Sequence, residues 1–305
     1  MMTRHTRGTT TWVDLESPTH EELSVVMKEF GINSRIEEEI VSPTPYPISI
    51  GFPDYEYMVL HFPTASNTDG ARSQEVDFIV GTTFLVTVRY EVVEPLHSLH
   101  RVFEADELLG YPDSHHSPEA LVEQVLRRLY SSVTAEAEQL LRILERIELD
   151  IFSGRERQTV RSISNVNRVL LRFETMLARH EGPLTGFLER ICGPAFFGKR
   201  TSERCTRIAA ERSHAMALVT SYRAVASELR VTNDSLLSAS QNGVMKTLTI
   251  MAFVTFPLTL ISSIFGMNTS YLPVVGIPGD FWYVIAGMVL MASSFFIFFR
   301  LKRWL

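Results

Sequence analysis

The sequence predicts an α+β domain followed by long helices and, at the C-terminus, a two-helix transmembrane hairpin. Three observations carry this reading. Between Lys246 and Arg300 the sole formal charge is Asp280, while the preceding chain is dense in Glu, Asp and Arg. The apolar pattern is that of short strands before about residue 116 and that of helices after it. The chain has 305 residues, 45% of them hydrophobic, enough for a sizeable core and more than one domain.

The elements follow in order. Thr11 to Leu15 (TWVDL) is a strand candidate, and Thr19 with Glu22 three residues on reads as the cap of a helix through HEELSVVMKEF. Tyr57 to Phe62, Val76 to Val80 and Thr83 to Tyr90 are rich in Val, Phe and Thr and separated by turn residues, as strands are. From Pro118 to Phe152 the apolar residues take helical spacing. A second helix is expected from Thr159 to Arg179, stopped by Gly182-Pro183. A third starts near Ser202 and meets no Gly or Pro until Gly243, so it is expected to run into the first span, a length on the order of 95 Å at ~1.5 Å per residue.

Val244 to Phe265 and Phe281 to Phe299 are each long and apolar enough to cross a bilayer. The link between them carries Gly266, Pro273, Gly276, Pro278 and Gly279, which break helices. Lys246, Arg300, Lys302 and Arg303 flank the outer ends of the hairpin and no basic residue lies in the link, so both termini are expected in the cytosol. Trp282, Tyr283 and Trp304 stand where interfacial aromatics anchor a span. The N-terminal MMTRHTRGTTTW has no apolar run of the secretory type.

Composition narrows the function. With 29 Lys+Arg against 35 Asp+Glu, the net charge of −6 lacks the basic excess that phosphate-backbone binding needs, so no nucleic-acid partner is expected. No GxxxxGK[ST] loop occurs, so no nucleotide is expected either. The two cysteines, Cys192 and Cys205, are expected to be free structural thiols in a reducing cytosol. No nucleophile or metal constellation of an enzyme is recognisable, and no cofactor is expected.

Two spans per chain cannot enclose an aqueous path, so the hairpin is either an anchor for a cytosolic sensor or interaction module, or one part of a pore made by several copies. The first span places Asn242, Met245, Leu248, Thr249, Ala252, Thr255, Phe256, Thr259, Ser263 and Gly266 along one stripe of amide, hydroxyl and small residues interrupted by apolar ones. Such residues also pack helices in any membrane bundle, so packing and pore both remain open on the stripe alone. It holds no Asp, Glu or His, and therefore offers no carboxylate to a stripped cation and no proton relay. That suits a hydrated ion, and magnesium dehydrates reluctantly. Elsewhere, Glu37-Glu38-Glu39 and Glu104, Asp106 and Glu107 are acidic clusters, while His97 with His100, and His115 with His116, are pairs that transition metals use.

The segment VMKTLTIMAFVTFPLTLISSIFGMN, ending in Gly266-Met267-Asn268, closely resembles the first span and signature of the CorA family of magnesium transporters. MKTLT at one end, PLTLI near the middle, the second span and the terminal KRWL agree with it, as do WVDLESPTHEEL and FLVTV upstream. The resemblance implies a funnel-shaped homopentamer with a stalk helix continuing into a pore-lining span. Gly266, Met267 and Asn268 would form an outer selectivity ring, with Asn268 recognising the cation through its hydration water. Asn242 would form the inner polar ring, Met245 and Leu248 an apolar constriction, and Thr259 a higher polar ring, with Thr249 and Phe256 also lining the path.

The division then expected is 1–116 for the cytosolic α/β domain, 117–243 for the long-helix and stalk region, 244–265 for the pore-lining span, 266–280 for the outer loop, 281–299 for the second span and 300–305 for a basic cytosolic tail. The function implied is potential-driven transport of hydrated divalent cations across the cell inner membrane, magnesium first, with cobalt and nickel able to follow and magnesium also acting as a regulatory ion. A zinc-carrying, proton-coupled relative is the alternative within the superfamily. Three positions depart from the family pattern: Phe265 stands where Tyr is usual, Phe256 where many members have Met or Leu, and NTSYLPVV has no acidic residue where relatives often carry Glu.

Overall fold

In the computed structural model, which describes residues 1–42, 44–63, 73–109, 117–193, 196–198, 201–268, 276, 278–302 and 304, the chain divides into two units, Met1–Arg230 and Val231–Leu305. The first is organised by a six-stranded sheet. Its strands are β1 (Met2–Arg7), β2 (Thr10–Glu16), β3 (Ile48–Gly51), β4 (Tyr55–Pro63), β5 (Ser73–Gly81) and β6 (Phe84–Arg89). They lie in the order β1-β2-β6-β5-β4-β3. Only β2 and β6 are parallel; every other neighbour pair is antiparallel. The parallel pair needs a crossover, and the chain between β2 and β6 supplies it.

Alternation along the strands gives the sheet two buried faces. Val13, Leu15, Tyr57, Val59, Ile79, Val86 and Val88 pack against Leu23, Val26 and Met27 of α1 (His20–Glu29) and Ile36 and Ile40 of α2 (Ser34–Val41). On the other face Trp12 meets Phe103 of α3 (Glu94–Leu109), and Phe62 meets Tyr130 of α4 (Pro118–Phe152). The expected cap of α1 is present: Thr19 Oγ1 accepts from the Glu22 amide at 3.2 Å, and the Thr19 amide donates to Glu22 Oε2 at 3.0 Å.

Two further helices complete the chain's first unit, and one departs from expectation. α5 runs from Glu156 to Ile191, straight through Pro183. Proline removes one backbone bond, but Leu184, Phe187, Leu188 and Ile191 beyond it are buried, and Arg190 donates to Glu56 of β4 at 2.6 Å. That burial holds the last two turns in place. α6 runs without interruption from Ser202 to Phe265, as its lack of early breakers suggested, and extends into the second unit.

The cysteines also differ from expectation. Cys192, capping α5, and Cys205, in the first turn of α6, form a disulfide. Tight reversal between the two helices brings them together, and thirteen residues of sequence separation cannot reveal that approach. The cross-link shortens the unfolded chain's reach and contributes about 3 kcal/mol for a loop of this size.

His180 of α5 is fully buried. Its Nε2 donates to the His61 carbonyl at 2.9 Å and its Nδ1 accepts from the Tyr130 hydroxyl, 3.2 Å away. Both ring nitrogens are thereby satisfied in the neutral form, and burial pushes the pKa down to about 3. The unfolded chain takes up a proton below pH ~6.5 that the folded chain refuses, so stability falls with pH between those values by up to ~1.4 kcal/mol per unit. We expect His180→Gln to make the loss of thermal stability between pH 7 and pH 5 shallower, as read by circular dichroism of the detergent-solubilised chain. An unchanged slope would assign the acid sensitivity to other groups.

Candidate functional site

In the second unit, α7 (Asp280–Leu301) brings its C-terminal end to α6, with Phe299 beside Phe253 and Trp304 beside Lys246. Phe299 of α7 is buried against Phe253 and Trp304, with ring centroids 6.3 and 5.9 Å away. The Lys246 ammonium lies 6.0 Å from the Trp304 ring centre. The contact side of α6 is half-buried at Val254, Pro257, Leu258 and Ile261. At ~100° per residue, Asn242, Met245, Thr249, Ala252, Phe256, Thr259 and Ser263 fall within an arc of about 100° on the opposite side. Leu248 and Gly266 lie at its edge.

The stripe read from the sequence is thus one exposed face of α6. Phe256 is 73% exposed, Met245 62% and Leu248 55%. Asn242 and Thr259 are exposed and Thr249 is half-buried. Almost none of the apolar length of either helix is covered by the chain itself. An apolar face this long, left bare, requires lipid, further copies of the chain, or both.

Three threonine hydroxyls on or beside this face have their protons committed. Thr249 donates to the Met245 carbonyl at 2.8 Å, Thr259 to the Thr255 carbonyl at 2.9 Å, and Thr255 to the Met251 carbonyl. Each bond returns to the preceding turn of the same helix. A hydroxyl that has donated inward presents only acceptor capacity outward. Thr249 and Thr259 therefore offer oxygen lone pairs to whatever passes the face, and a hydrated cation presents water protons. The hydroxyl spacing was legible in the sequence; the direction of the protons was not.

Gly266, Met267 and Asn268 leave the end of α6 together. The Gly266 amide donates to the Ser262 carbonyl at 2.9 Å and the Met267 amide to the Ile264 carbonyl at 3.2 Å. A Cβ on Gly266 would lie 3.1 Å from the Ser262 carbonyl oxygen, which accounts for glycine in a turn this close to the helix end. All three residues are exposed, and Asn268 follows the last of these bonds directly. The link continues through 269–275 and 277, outside the described residues, so the NTSYLPVV segment is known here by sequence alone.

Asp280 has a role the sequence reading missed. Its Oδ2 accepts from the Gly276 amide at 3.1 Å and its Oδ1 from the Phe281 amide at 2.7 Å. The link's only carboxylate thus ties the link to the start of α7. The available signal was an acidic residue in the first turn of a helix, four residues after a glycine.

The other candidates do not converge. His100 turns inward, donating from Nε2 to Asp14 Oδ2 at 2.9 Å, with Nδ1 3.1 Å from His5 Nε2 and Trp12 stacked 4.2 Å away. His97 is exposed while His100 is buried, so the two do not come together as a pair. Glu37 and Glu39 are half-buried on α2 while Glu38 and Glu104 are exposed. His115 and His116, and the side chains of Asp106 and Glu107, lie outside the described residues. Among those described, no group of three or more His, Cys, Asp or Glu side chains is placed to hold a metal ion.

Comparison with known proteins covers nearly the whole chain. A family model described as CorA-like Mg2+ transporter protein matches residues 7–303. The cobalt/magnesium transport protein CorA of Methanocaldococcus jannaschii is 22% identical over 96% of this chain and 91% of its own length. The protein of the same name from Thermotoga maritima is 24% identical over 98% of this chain and 84% of its own. The complete structure of the M. jannaschii transporter superposes with a TM-score of 0.84 at 22% identity, covering 99% of this chain and 93% of that one.

The Asp280 contacts yield an expectation of their own. Asp280→Ala should speed hydrogen exchange at the Gly276 and Phe281 amides roughly fivefold, equivalent to the ~1 kcal/mol of a lost capping side chain. Exchange mass spectrometry reads both, and unaltered protection would show that the carboxylate does not hold the link.

Proposed function

The chain belongs to the CorA-like family of Mg2+ transporters, and on that premise we propose that it is a channel-like transporter of hydrated divalent cations, magnesium foremost. The observation that carries the proposal is the exposed face of α6. It carries no charge, its Thr249 and Thr259 hydroxyls turn their protons inward, and it is followed by the amide of Asn268. Such a surface holds a hydrated ion by its water shell without stripping it, which suits a cation that keeps several of its waters.

Two helices cannot surround water, so the transporting unit is an assembly of copies, a homopentamer in this reading. Gly266, Met267 and Asn268 form the outer ring, Asn268 being the main acceptor for the ion's water. Asn242 forms the inner polar ring and Thr249, Phe256 and Thr259 line the path between. Met245 and Leu248 form a constriction that closes by excluding water. The flanking basic residues put both termini in the cytosol of an inner membrane. Inward movement of two charges then releases ~4.6 kcal/mol per 100 mV, so no further fuel is needed. The names of the M. jannaschii and T. maritima relatives support cobalt as a second cargo. Regulatory magnesium at the cytosolic unit completes the reading.

Flux into proteoliposomes tests it. Magnesium uptake should follow the membrane potential, ignore a pH gradient and be inhibited by hexamminecobalt(III), an inert mimic of the hydrated ion. Asn268→Ala should cut uptake roughly tenfold or more, each lost acceptor being worth about 1 kcal/mol, without changing the oligomer. Zinc uptake that rises with a proton gradient, with little magnesium flux, or a chain that stays monomeric in detergent, would overturn the proposal.

The constriction makes a separate claim. Leu248→Gly should raise leak conductance at high internal magnesium, because a wetted ring no longer excludes ions. Unchanged conductance would remove Leu248 from the gate.

A further inference from the structure

A pair of carboxyls is buried in the sheet of the first unit, remote in sequence from every residue assigned above. Glu75 and Asp77 alternate onto the same face of β5, the face covered by α1 and α2. In the β4–β5 register His61 stands opposite Glu75, Val59 opposite Asp77 and Tyr57 opposite Ile79. Glu75 is 5% exposed and Asp77 0%. Among the described residues neither carboxyl forms an ion pair with Lys or Arg; the nearest basic group is His61, whose Nε2 is 4.0 Å from Glu75 Oε2.

The surroundings are built to receive one negative charge. Glu75 Oε2 accepts from the Thr44 amide at 2.7 Å, and the Thr44 carbonyl lies 2.7 Å from His61 Nε2. Tyr90 donates to the Ile40 carbonyl at the end of α2. Glu75 Oε1, both Asp77 oxygens and the Tyr57 hydroxyl are buried without a well-formed hydrogen bond among the described residues, and Glu75, Tyr57 and Tyr90 are the polar groups that face Asp77. Two adjacent charges in such a place repel by about 4 kcal/mol at 4 Å even with an effective dielectric near 20, and a buried unpaired carboxylate adds its desolvation cost. A proton placed between them removes both penalties and supplies the missing donor.

We propose that Glu75 and Asp77 form a proton-binding site, sharing one proton at neutral pH, and that this proton keeps α2 and the Thr44 segment closed over the sheet. Burial, followed by the charge of Glu75, holds the Asp77 carboxyl well above its ordinary range, and burial raises Glu75 also. Other groups facing the pair are Tyr57 and His61 from β4, Tyr90 beyond β6 and Glu39 from α2, which acts on Tyr57. Both phenols are pushed well above their usual range, chiefly by burial, so they stay neutral while the pair titrates. The sign is fixed by the raised pKa. The folded chain binds a proton that the unfolded chain has lost, so stability is highest below the ordinary carboxylate range and is lost as pH rises through the pair's folded pKa.

Infrared difference spectroscopy of the full chain in detergent tests the site directly. At pH 7 the C=O stretch of a buried protonated carboxyl should be present, with the same intensity in EDTA as in excess magnesium, and should vanish in Asp77→Asn. The same variant should match the parent's melting temperature near pH 4 and lack the parent's decline as pH rises from there toward the pair's folded pKa, since the new amide donates permanently to Glu75. Glu75→Gln, which preserves the acceptor for the Thr44 amide, should flatten that decline as well. A band that is absent at pH 7, that appears only after chelation, or that survives both substitutions would overturn the proposal. Emergence on chelation would mean that a cation rather than a proton neutralises the pair.

Discussion

A hydroxyl in hydrocarbon must place its proton, and in α6 the nearest available acceptor is the carbonyl one turn back. This single constraint shapes the bare face of α6 proposed to line the path. With Thr249, Thr255 and Thr259 all bonded to their own helix, none needs a partner on another helix, and α7 can be almost wholly apolar. The same bonds leave the outward oxygens as acceptors. An apolar α7 and a line of acceptors on the bare face of α6 are therefore two results of one requirement, that no donor be left unmet in hydrocarbon.

The first unit follows the converse rule, in which charge is buried but matched. Asp14, almost fully buried on β2, accepts from Thr87 Oγ1, from Arg89 Nε at 3.0 Å and from His100 Nε2 at 2.9 Å. Burial alone would raise its pKa, but the His100 bond and the Arg89 charge outweigh burial and hold it below the ordinary range. Glu75 and Asp77 occupy the opposite face without such a cation, and there burial prevails. One sheet thus keeps an ionised carboxylate on one side and, as proposed, a protonated pair on the other, with the difference set by the His100 bond and the Arg89 charge at Asp14.

What was legible in the sequence had local causes. The spans, the Thr19 cap and the stripe on α6 depend on residues within one or two turns of each other, and periodicity reports them. The edge strand β1 was missed because MTRHTR is polar after Met2 and shows no alternation; only its pairing with β2 makes it a strand. α5 was ended too early because Pro183 was read as a breaker, whereas packing of Leu184 and Phe187 overrides the lost bond. The disulfide and the pairing of His100 with His5 join positions far apart in the chain or separated by a reversal, which no pattern along one segment contains. The Asn268 turn was legible as a motif directly after the first span, while the Gly266 and Met267 bonds that fold it back on α6 required coordinates.

The commitment of Asp280 to two backbone amides has a consequence for how an ion is drawn toward the link. Its charge is partly answered by donors held in place, and the link between the spans has no second carboxylate. In the proposed pore such a mouth exerts little long-range pull, so capture there depends on collision followed by retention in the ring of neutral oxygens, not on steering from solution. Discrimination then rests on how tightly a cation orders its own water. An ion whose shell is loose would find the ring no better than bulk solvent, whereas one with a rigid shell arrives with its donors already aligned.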